Sequence, residues 1–305
     1  MEQTYNYFAS VIIPVYNDAE RLKLCLEALA KQSYPDNQFE ILVVDNASTE
    51  DIKSVAEAFP QVVLIHESQP GSYAARNRGI AAAEGQILAF TDSDCIPSSG
   101  WLENGVRQFL NIPNCGIVAG KIEFFFKDSN CPNAVELYDS IELLQQEEYV
   151  KQGWGATANL FTTPAVFTKA GLFNAELKSG GDFEWGRRVA AQNYEISYAP
   201  DSVVAHPARS SLKEMHKKIV RRVGGGYALR QLNQHKDSAS RLHLNEHFLT
   251  KLRPPIRSAI RKSFLNQKLS TFSNKVMIFS IVFILHYLEL AELVRLQLGG
   301  KPSRQ

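Results

Sequence analysis

A chain of 305 residues suits one large domain or two modest ones. With 45% hydrophobic and 21% charged residues it is neither disordered nor fibrous. Its four cysteines (Cys25, Cys95, Cys115, Cys131) contain no C-x-x-C pair, which removes zinc-ribbon and thioredoxin readings and fits a reducing compartment. The net charge of +1 conceals an asymmetry: residues 1–206 carry 14 Lys+Arg against 27 Asp+Glu, and residues 207–305 carry 19 against 5. An acidic body thus leads into a basic extension suited to an anionic partner.

The start of the chain lacks a basic segment ahead of a long apolar one, so no secretory signal is expected. Phe8–Ile13 reads as a buried strand ending at Pro14. Asp18 is placed to cap a helix whose apolar residues Leu22, Cys25, Leu26 and Leu29 share one face. A strand over Phe39–Val44, a helix over Asp51–Phe59 and a strand over Val62–His66 follow. A helix over Tyr73–Glu84, entered through Pro70-Gly71, then leads to a strand over Gln86–Thr91. This β-α-β order predicts an α/β fold with a mostly parallel sheet flanked by helices. Beyond it, Cys115–Phe126 reads as one or two strands, Ala134–Tyr149 as an acidic helix, Gly153–Thr163 as glycines then a strand, and Asp182–Gln192 as a helix. From about Ser210 the chain is helical and basic, which sets a boundary near His206-Pro207 between a domain over 1–206 and a region over 207–305. The long apolar run Val276–Leu288 has 13 residues, short of the ~20 that crossing a bilayer requires.

Open parallel sheets bind ligands beyond the carboxyl ends of their strands. Those ends deliver Pro14-Val15-Tyr16-Asn17-Asp18, Asp45-Asn46-Ala47-Ser48 and Asp92-Ser93-Asp94 to one rim. Neither G-x-G-x-x-G after the first strand nor G-x-x-x-x-G-K-[ST] anywhere is present, which argues against dinucleotide dehydrogenases and P-loop enzymes. A bare D-x-D is weak, because 11 aspartates produce roughly 0.4 such matches by chance. Its position at a strand end carries more weight. Two carboxylates there repel unless water or a cation lies between them, and hard divalent ions favour one or two carboxylates plus substrate phosphates. A metal–phosphate role and a solvated turn both fit.

The ordered set Val11-Ile12-Ile13-Pro14-Val15-Tyr16-Asn17, Val43-Val44-Asp45-Asn46-Ala47-Ser48, Gly71-x-x-x-Ala75-Arg76-Asn77-x-Gly79 and Phe90-Thr91-Asp92-Ser93-Asp94 resembles the family 2 glycosyltransferases, which have the GT-A fold. Gly171-Leu172-Phe173 followed by Gly181-Asp182-Phe183-Glu184-Trp185-x-x-Arg188 resembles that family's acceptor-side motif. The resemblance spans roughly residues 8–206. It implies inverting transfer of a sugar from a nucleoside-diphosphate sugar, a UDP-sugar first, with a divalent metal (Mn or Mg), to a hydroxyl of a saccharide or lipid-linked acceptor in polysaccharide or glycoconjugate synthesis. By the same resemblance Pro14, Tyr16, Asp45, Asn46, Arg76, Asp92 and Ser93 attend the nucleotide sugar, and Asp94 holds the metal. His206, after the strand-like Val203-Val204-Ala205, is a second metal ligand or a structural strand-end histidine. Asp182 is the base with Glu184 as its carboxylate partner, since Gly181 stands where the family commonly has another acid. Trp154, Asn159, Trp185 and Arg188 fall on the acceptor side. Blander roles compete at each position: Tyr16 and Trp154 as packing, Asp45 as a strand-end cap, Arg76 as a solvated helix residue, Asp182 as a helix N-cap, and Glu184–Arg188 as an i, i+4 ion pair.

Between Arg209 and Lys275 stand 16 Lys+Arg and three acidic residues. With the apolar run behind them they suggest attachment to an anionic membrane surface, cytoplasmic and peripheral on the inner face. A helix packed on the catalytic domain with a solvated basic side is the alternative. Two other functions compete. A nucleotidyltransferase would want a glycine-rich loop and a basic residue after the first strand, and Pro14-Val15-Tyr16-Asn17 supplies neither. A nucleic-acid binder would want interleaved aromatics, and Tyr227, Phe248 and Phe264 are sparse, so no nucleic acid is expected as a partner.

Overall fold

Strand β1 (Ala9–Val15) is buried at every residue. It runs parallel to β2 (Phe39–Asp45) on one side and β4 (Ile87–Thr91) on the other, with β3 (Val62–His66) outside β2. The structure, a computed structural model, describes residues 7–142, 144–234, 251–267, 269 and 271–302. Helix α1 (Ala19–Leu29) buries Leu22, Cys25, Leu26 and Leu29, the face its periodicity predicts. Asp18 is its N-cap residue, yet the side chain makes no cap bond and engages Arg21 at 2.7 Å instead. Helix α2 (Ile52–Glu57) is capped by Asp51, whose carboxylate accepts from the Ser54 N–H. Helix α3 (Ser72–Ala82) starts after Gly71, whose φ of 136° lies where side chains are strained. It lies so near β1 that a Cβ on Gly79 would stand 2.5 Å from the Ile12 side chain.

The second half of the sheet is antiparallel. Strand β7 (Asn159–Thr162) pairs with β4 and with β6 (Cys115–Phe125), and β8 (Glu195–Pro207) pairs with the two-residue β5 (Ile96–Pro97). The sheet is therefore mixed, in the order β3-β2-β1-β4-β7-β6-β8-β5. Strand β5 and the helices α4 (Trp101–Leu110) and α7 (Pro164–Ala170) have no counterpart among the elements expected from the sequence. In α4 the apolar face is interrupted by Gly105, where a Cβ would collide with the Phe161 ring. The expected single helix over Ala134–Tyr149 is two, α5 (Ala134–Glu142) and α6 (Gln146–Lys151); between them Leu144 adopts φ of 54°, which no helix continues through. Helix α8 (Gly181–Ala191) precedes β8.

The chain divides into two compact units: one comprises residues up to Phe124, Leu144–Glu176 and Gly181–Pro207, and the other Phe125–Leu143, Leu177–Gly180 and everything from Ala208. The first holds the sheet and its core. The second has its own core, in which Tyr138 of α5 and Met215, Ile219 and Val223 of α9 (Leu212–Gln234) meet Ile278, Ile281, Val282 and Leu285 of a last long helix. Asp139, with no exposed surface, accepts from the Lys218 ammonium at 2.8 Å and the Arg209 N–H at 3.0 Å. Burial pushes the Lys218 ammonium below the ordinary lysine range. Phe248 lies outside the described residues. The last helix is longer than the apolar run suggests: it spans Phe272–Gln297, 26 residues, against the 13 of Val276–Leu288. At 1.5 Å per residue it is ~39 Å long, so by length and composition it is able to cross a membrane.

Candidate active site

The register of β1 on β2 pairs Val15 with Asp45, so the chain leaves both strands side by side. Tyr16 emerges 53% exposed. Asn17, at φ of 49°, accepts through Oδ1 from the Thr49 N–H at 2.7 Å and donates its own N–H to Ser48 Oγ at 2.9 Å, clamping the two loops together. Asp45 accepts from the Ser48 N–H at 3.0 Å and faces His66 Nδ1 at 3.8 Å. Asn46 is buried: its Nδ2 donates to the Glu67 and Gln69 carbonyls, and its Oδ1 accepts from the Gly71 N–H at 2.7 Å. Pro14 is buried inside β1 opposite Val44. Both side chains are buried.

Arg76, on α3, is buried and donates through Nη2 to Asp92 Oδ1, while its guanidinium lies 5.6 Å from the Tyr73 ring centre. Its Nε is buried with no hydrogen-bond partner among the described residues. Ser93 Oγ donates to Asp18 at 3.3 Å, and burial raises the Asp18 carboxyl against the pull of Arg21. The β5–β8 pairing sets Ile96 opposite Ala205, and one step further it brings Asp94 and Cys95 to His206. His206 is buried, with Nδ1 at 2.8 Å from the Pro207 carbonyl. A carbonyl only accepts, so Nδ1 carries a proton and Nε2 is the nitrogen turned toward Asp94. It stands 3.8 Å from Asp94 Oδ1, too far for a hydrogen bond. Donor atoms of Asp94, Cys95 and His206 lie within 4.8 Å of one another. Burial pushes the Cys95 thiol well up, so it stays neutral. A carboxylate oxygen and an imidazole nitrogen held 3.8 Å apart without a mutual hydrogen bond fit a divalent ion.

Asp182 opens α8 half-buried. Desolvation raises its carboxyl above the ordinary range, against the Phe183 N–H, Arg76 and the Tyr73 hydroxyl, which donates to Oδ1 at 3.2 Å. Tyr73 was not among the candidates of the sequence; its position three residues before Arg76, on the same helix face, was the available signal. Glu184 is held by both nitrogens of one Arg188 edge, at 2.8 and 3.0 Å, and Arg188 also donates to the Ala170 and Leu172 carbonyls. Trp185 is fully buried, stacks on Phe167 at 4.5 Å and donates to the Gly171 carbonyl. Asn159 is fully buried too: it accepts from the Trp101 indole and donates to the Lys121 and Ser202 carbonyls. Glu184, expected as a catalytic carboxylate, and Arg188, Trp185 and Asn159, expected on the acceptor side, are thus all engaged by groups of the protein itself. Trp154 differs from them. It stacks on Tyr149 at 3.9 Å and meets the Phe183 ring edge-on at 5.6 Å, and its buried indole N–H has no partner among the described residues.

Residues 10–169 match the model of Glycosyl transferase family 2. The glycosyltransferase AglE of Haloferax volcanii is 40% identical over 225 residues, covering 72% of this chain and 72% of that protein. The Methanococcus voltae enzyme named dolichyl N-acetyl-alpha-D-glucosaminyl phosphate 3-beta-D-2,3-diacetamido-2,3-dideoxy-beta-D-glucuronosyltransferase is 23% identical over 227 residues, 70% of this chain and 71% of its own. Among solved structures, the mannosyltransferase PcManGT of Pyrobaculum calidifontis, in complex with GDP-Man and Mn2+, aligns with a TM-score of 0.64 at 20% identity, over 96% of this chain and 87% of that one. At that identity the likeness establishes a shared GT-A arrangement of sheet and helices.

Proposed function

Because this chain belongs to glycosyl transferase family 2, and is thus an enzyme that takes a sugar from a nucleotide-sugar donor, we propose that it inverts the anomeric centre and works with a divalent metal. The acceptor in this reading is a hydroxyl of a saccharide carried on a lipid, on the anionic cytoplasmic surface of a membrane. The observation that carries the reading is the rim itself. It gathers Tyr16, Asp45, Asp92 and Asp94 from three strand ends, and it adds an orphaned guanidinium N–H of Arg76, a donor ready for a phosphate or ribose oxygen. The name of the Methanococcus voltae relative supports a lipid-linked acceptor.

Asp94 and His206 would hold the metal, which when bound offsets the charge growing on the departing diphosphate. Tyr16 offers an aromatic face to the base, and Asp45 accepts from a base N–H or a ribose hydroxyl. Asp182 removes the proton of the acceptor hydroxyl as its oxygen attacks the anomeric carbon; the bond to the diphosphate breaks, and the nucleoside diphosphate leaves with the electron pair. Desolvation suits Asp182 to that task, because a carboxylate with a raised proton affinity is a stronger base. The unpartnered Trp154 indole N–H, beside Phe183, is a donor available to an acceptor oxygen.

A panel of nucleotide sugars, scored by thermal shift with and without Mn2+, tests this reading. A donor that binds only the native state raises the melting point by mass action. Asp94→Asn should abolish the metal-dependent part of the shift and lower turnover by ~10²-fold or more. Undiminished metal-dependent binding and turnover in that variant would refute the metal assignment.

A further inference from the structure

The second unit carries an amphipathic ridge. Its helix Ile256–Lys262 turns Ala259, and just beyond its end Ser263, fully inward. On the outward side Ile256 and Ile260 are 52% and 40% exposed, and Phe264 continues the four-residue interval. One residue over, Arg257 and Arg261 form a parallel exposed row, with Arg253 just ahead of it. Leu265 and Phe272, at 70% and 73% exposure, extend the apolar row, and the Phe264 and Phe272 rings lie 6.1 Å apart. Contiguous large apolar side chains of this kind mark an interaction surface. Beside a row of arginines they suit the boundary of an anionic bilayer, with apolar groups among the acyl chains and guanidinium groups at the phosphates.

The long helix Phe272–Gln297 is the rival attachment, since its length permits a span. Its packing opposes one. Its inward residues rest on Met215, Ile219 and Val223 of α9, a helix that also exposes Lys213, Lys217 and Arg221. Its Glu289 binds Arg222 at 3.0 Å and Lys251 at 2.7 Å. Crossing would strip it from α9 or draw these charges into hydrocarbon, which is costly. We propose that the Ile256–Phe264 ridge docks the protein in the plane of an anionic bilayer, and that the long helix does not cross. This rests on the reading that the enzyme acts at a membrane.

Flotation of the full chain with phosphatidylcholine vesicles, with and without phosphatidylserine, at low and high salt, tests both. Wild type should float with the anionic vesicles at low salt and be only partly released at high salt. Ile256→Ser/Ile260→Ser should weaken partitioning at both salts. Arg257→Gln/Arg261→Gln should weaken it roughly 30-fold at low salt and reduce the preference for anionic lipid by the same factor. Unchanged melting curves and unchanged donor thermal shifts would show that each variant folds. Wild type that ignores anionic vesicles overturns the membrane reading and the ridge together. Wild type that floats, with folded variants that float equally well, overturns the ridge alone. Alkali-resistant insertion of wild type overturns in-plane docking, and ridge variants that lose nucleic-acid binding but not flotation would reassign the arginines.

Discussion

Asn159→Ala separates a framework asparagine from an acceptor contact. The side chain is fully buried and makes three hydrogen bonds: 2.8 Å from the Trp101 indole to Oδ1, and 2.9 Å from Nδ2 to each of the Lys121 and Ser202 carbonyls. Truncation leaves a buried N–H, a buried carbonyl and a part-buried one without this partner. An orphaned buried group costs ~1–3 kcal/mol, and the three share one cavity, so they will not add in full. A loss of ~3–5 kcal/mol is expected, a large share of the ~5–15 kcal/mol that holds a typical domain. At ~2–4 °C per kcal/mol for a unit of this size, the melting temperature should fall by roughly 10 °C. The assay is a thermal melt read by circular dichroism, paired with acceptor KM at a temperature where the variant is folded. A melt within ~2 °C of wild type, equivalent to no more than about one kcal/mol, combined with a large rise in acceptor KM, would refute the framework reasoning and return Asn159 to the acceptor pocket.

Asp182→Asn should keep the donor thermal shift and lose ~10²–10⁴-fold in turnover, whereas Glu184→Gln should chiefly lower the melt by loosening Arg188 from the Ala170–Leu172 turn; inactivity confined to the second variant would move the base by two positions. Tyr73→Phe removes a hydroxyl that donates to the ionised form of Asp182. The proton then binds Asp182 more tightly, so the acid limb of kcat/KM should move to higher pH while kcat well above the limb is retained; an unmoved limb would count against Asp182 as the titrating base.

The parallel half of the sheet was legible because each of its signals is local. Leu22, Cys25, Leu26 and Leu29 announce a helical face within one segment, and β3 was read at the residues it occupies. The antiparallel half depends on pairings between distant segments. Strand β5 is two residues long and exists only because β8 lies beside it, so no propensity marks it. Yet that pairing brings Asp94 to His206, which is why the histidine was only one of two open readings in the sequence. Helix α4 escaped notice for a related reason: Gly105 weakens its helical signal, and the need for that glycine is visible only against Phe161. The apolar run Val276–Leu288 understates the long helix, because Ser273, Asn274 and Lys275 lie within its first turn and Glu289 and Glu292 are satisfied by Arg222, Lys251 and Arg295.

Motif membership alone does not separate side chains with spare hydrogen-bond capacity from those without it. An asparagine side chain offers two donors and an acceptor oxygen. In Asn46 both N–H groups and the oxygen bind backbone, and in Asn159 two carbonyls and an indole do the same, so neither has a strong group left to aim at a substrate. Arg188, with donors on Glu184, Ala170 and Leu172, is committed in the same way. Arg76 and Trp154 are the reverse case: each buries an N–H that has no described partner. Burial without a partner costs free energy that a packing role does not return, and a bound donor or acceptor oxygen at those atoms would return it. By this criterion the motif set splits into side chains whose hydrogen bonds are taken up within the protein and side chains with a buried N–H left over, a division that spacing in the sequence does not encode.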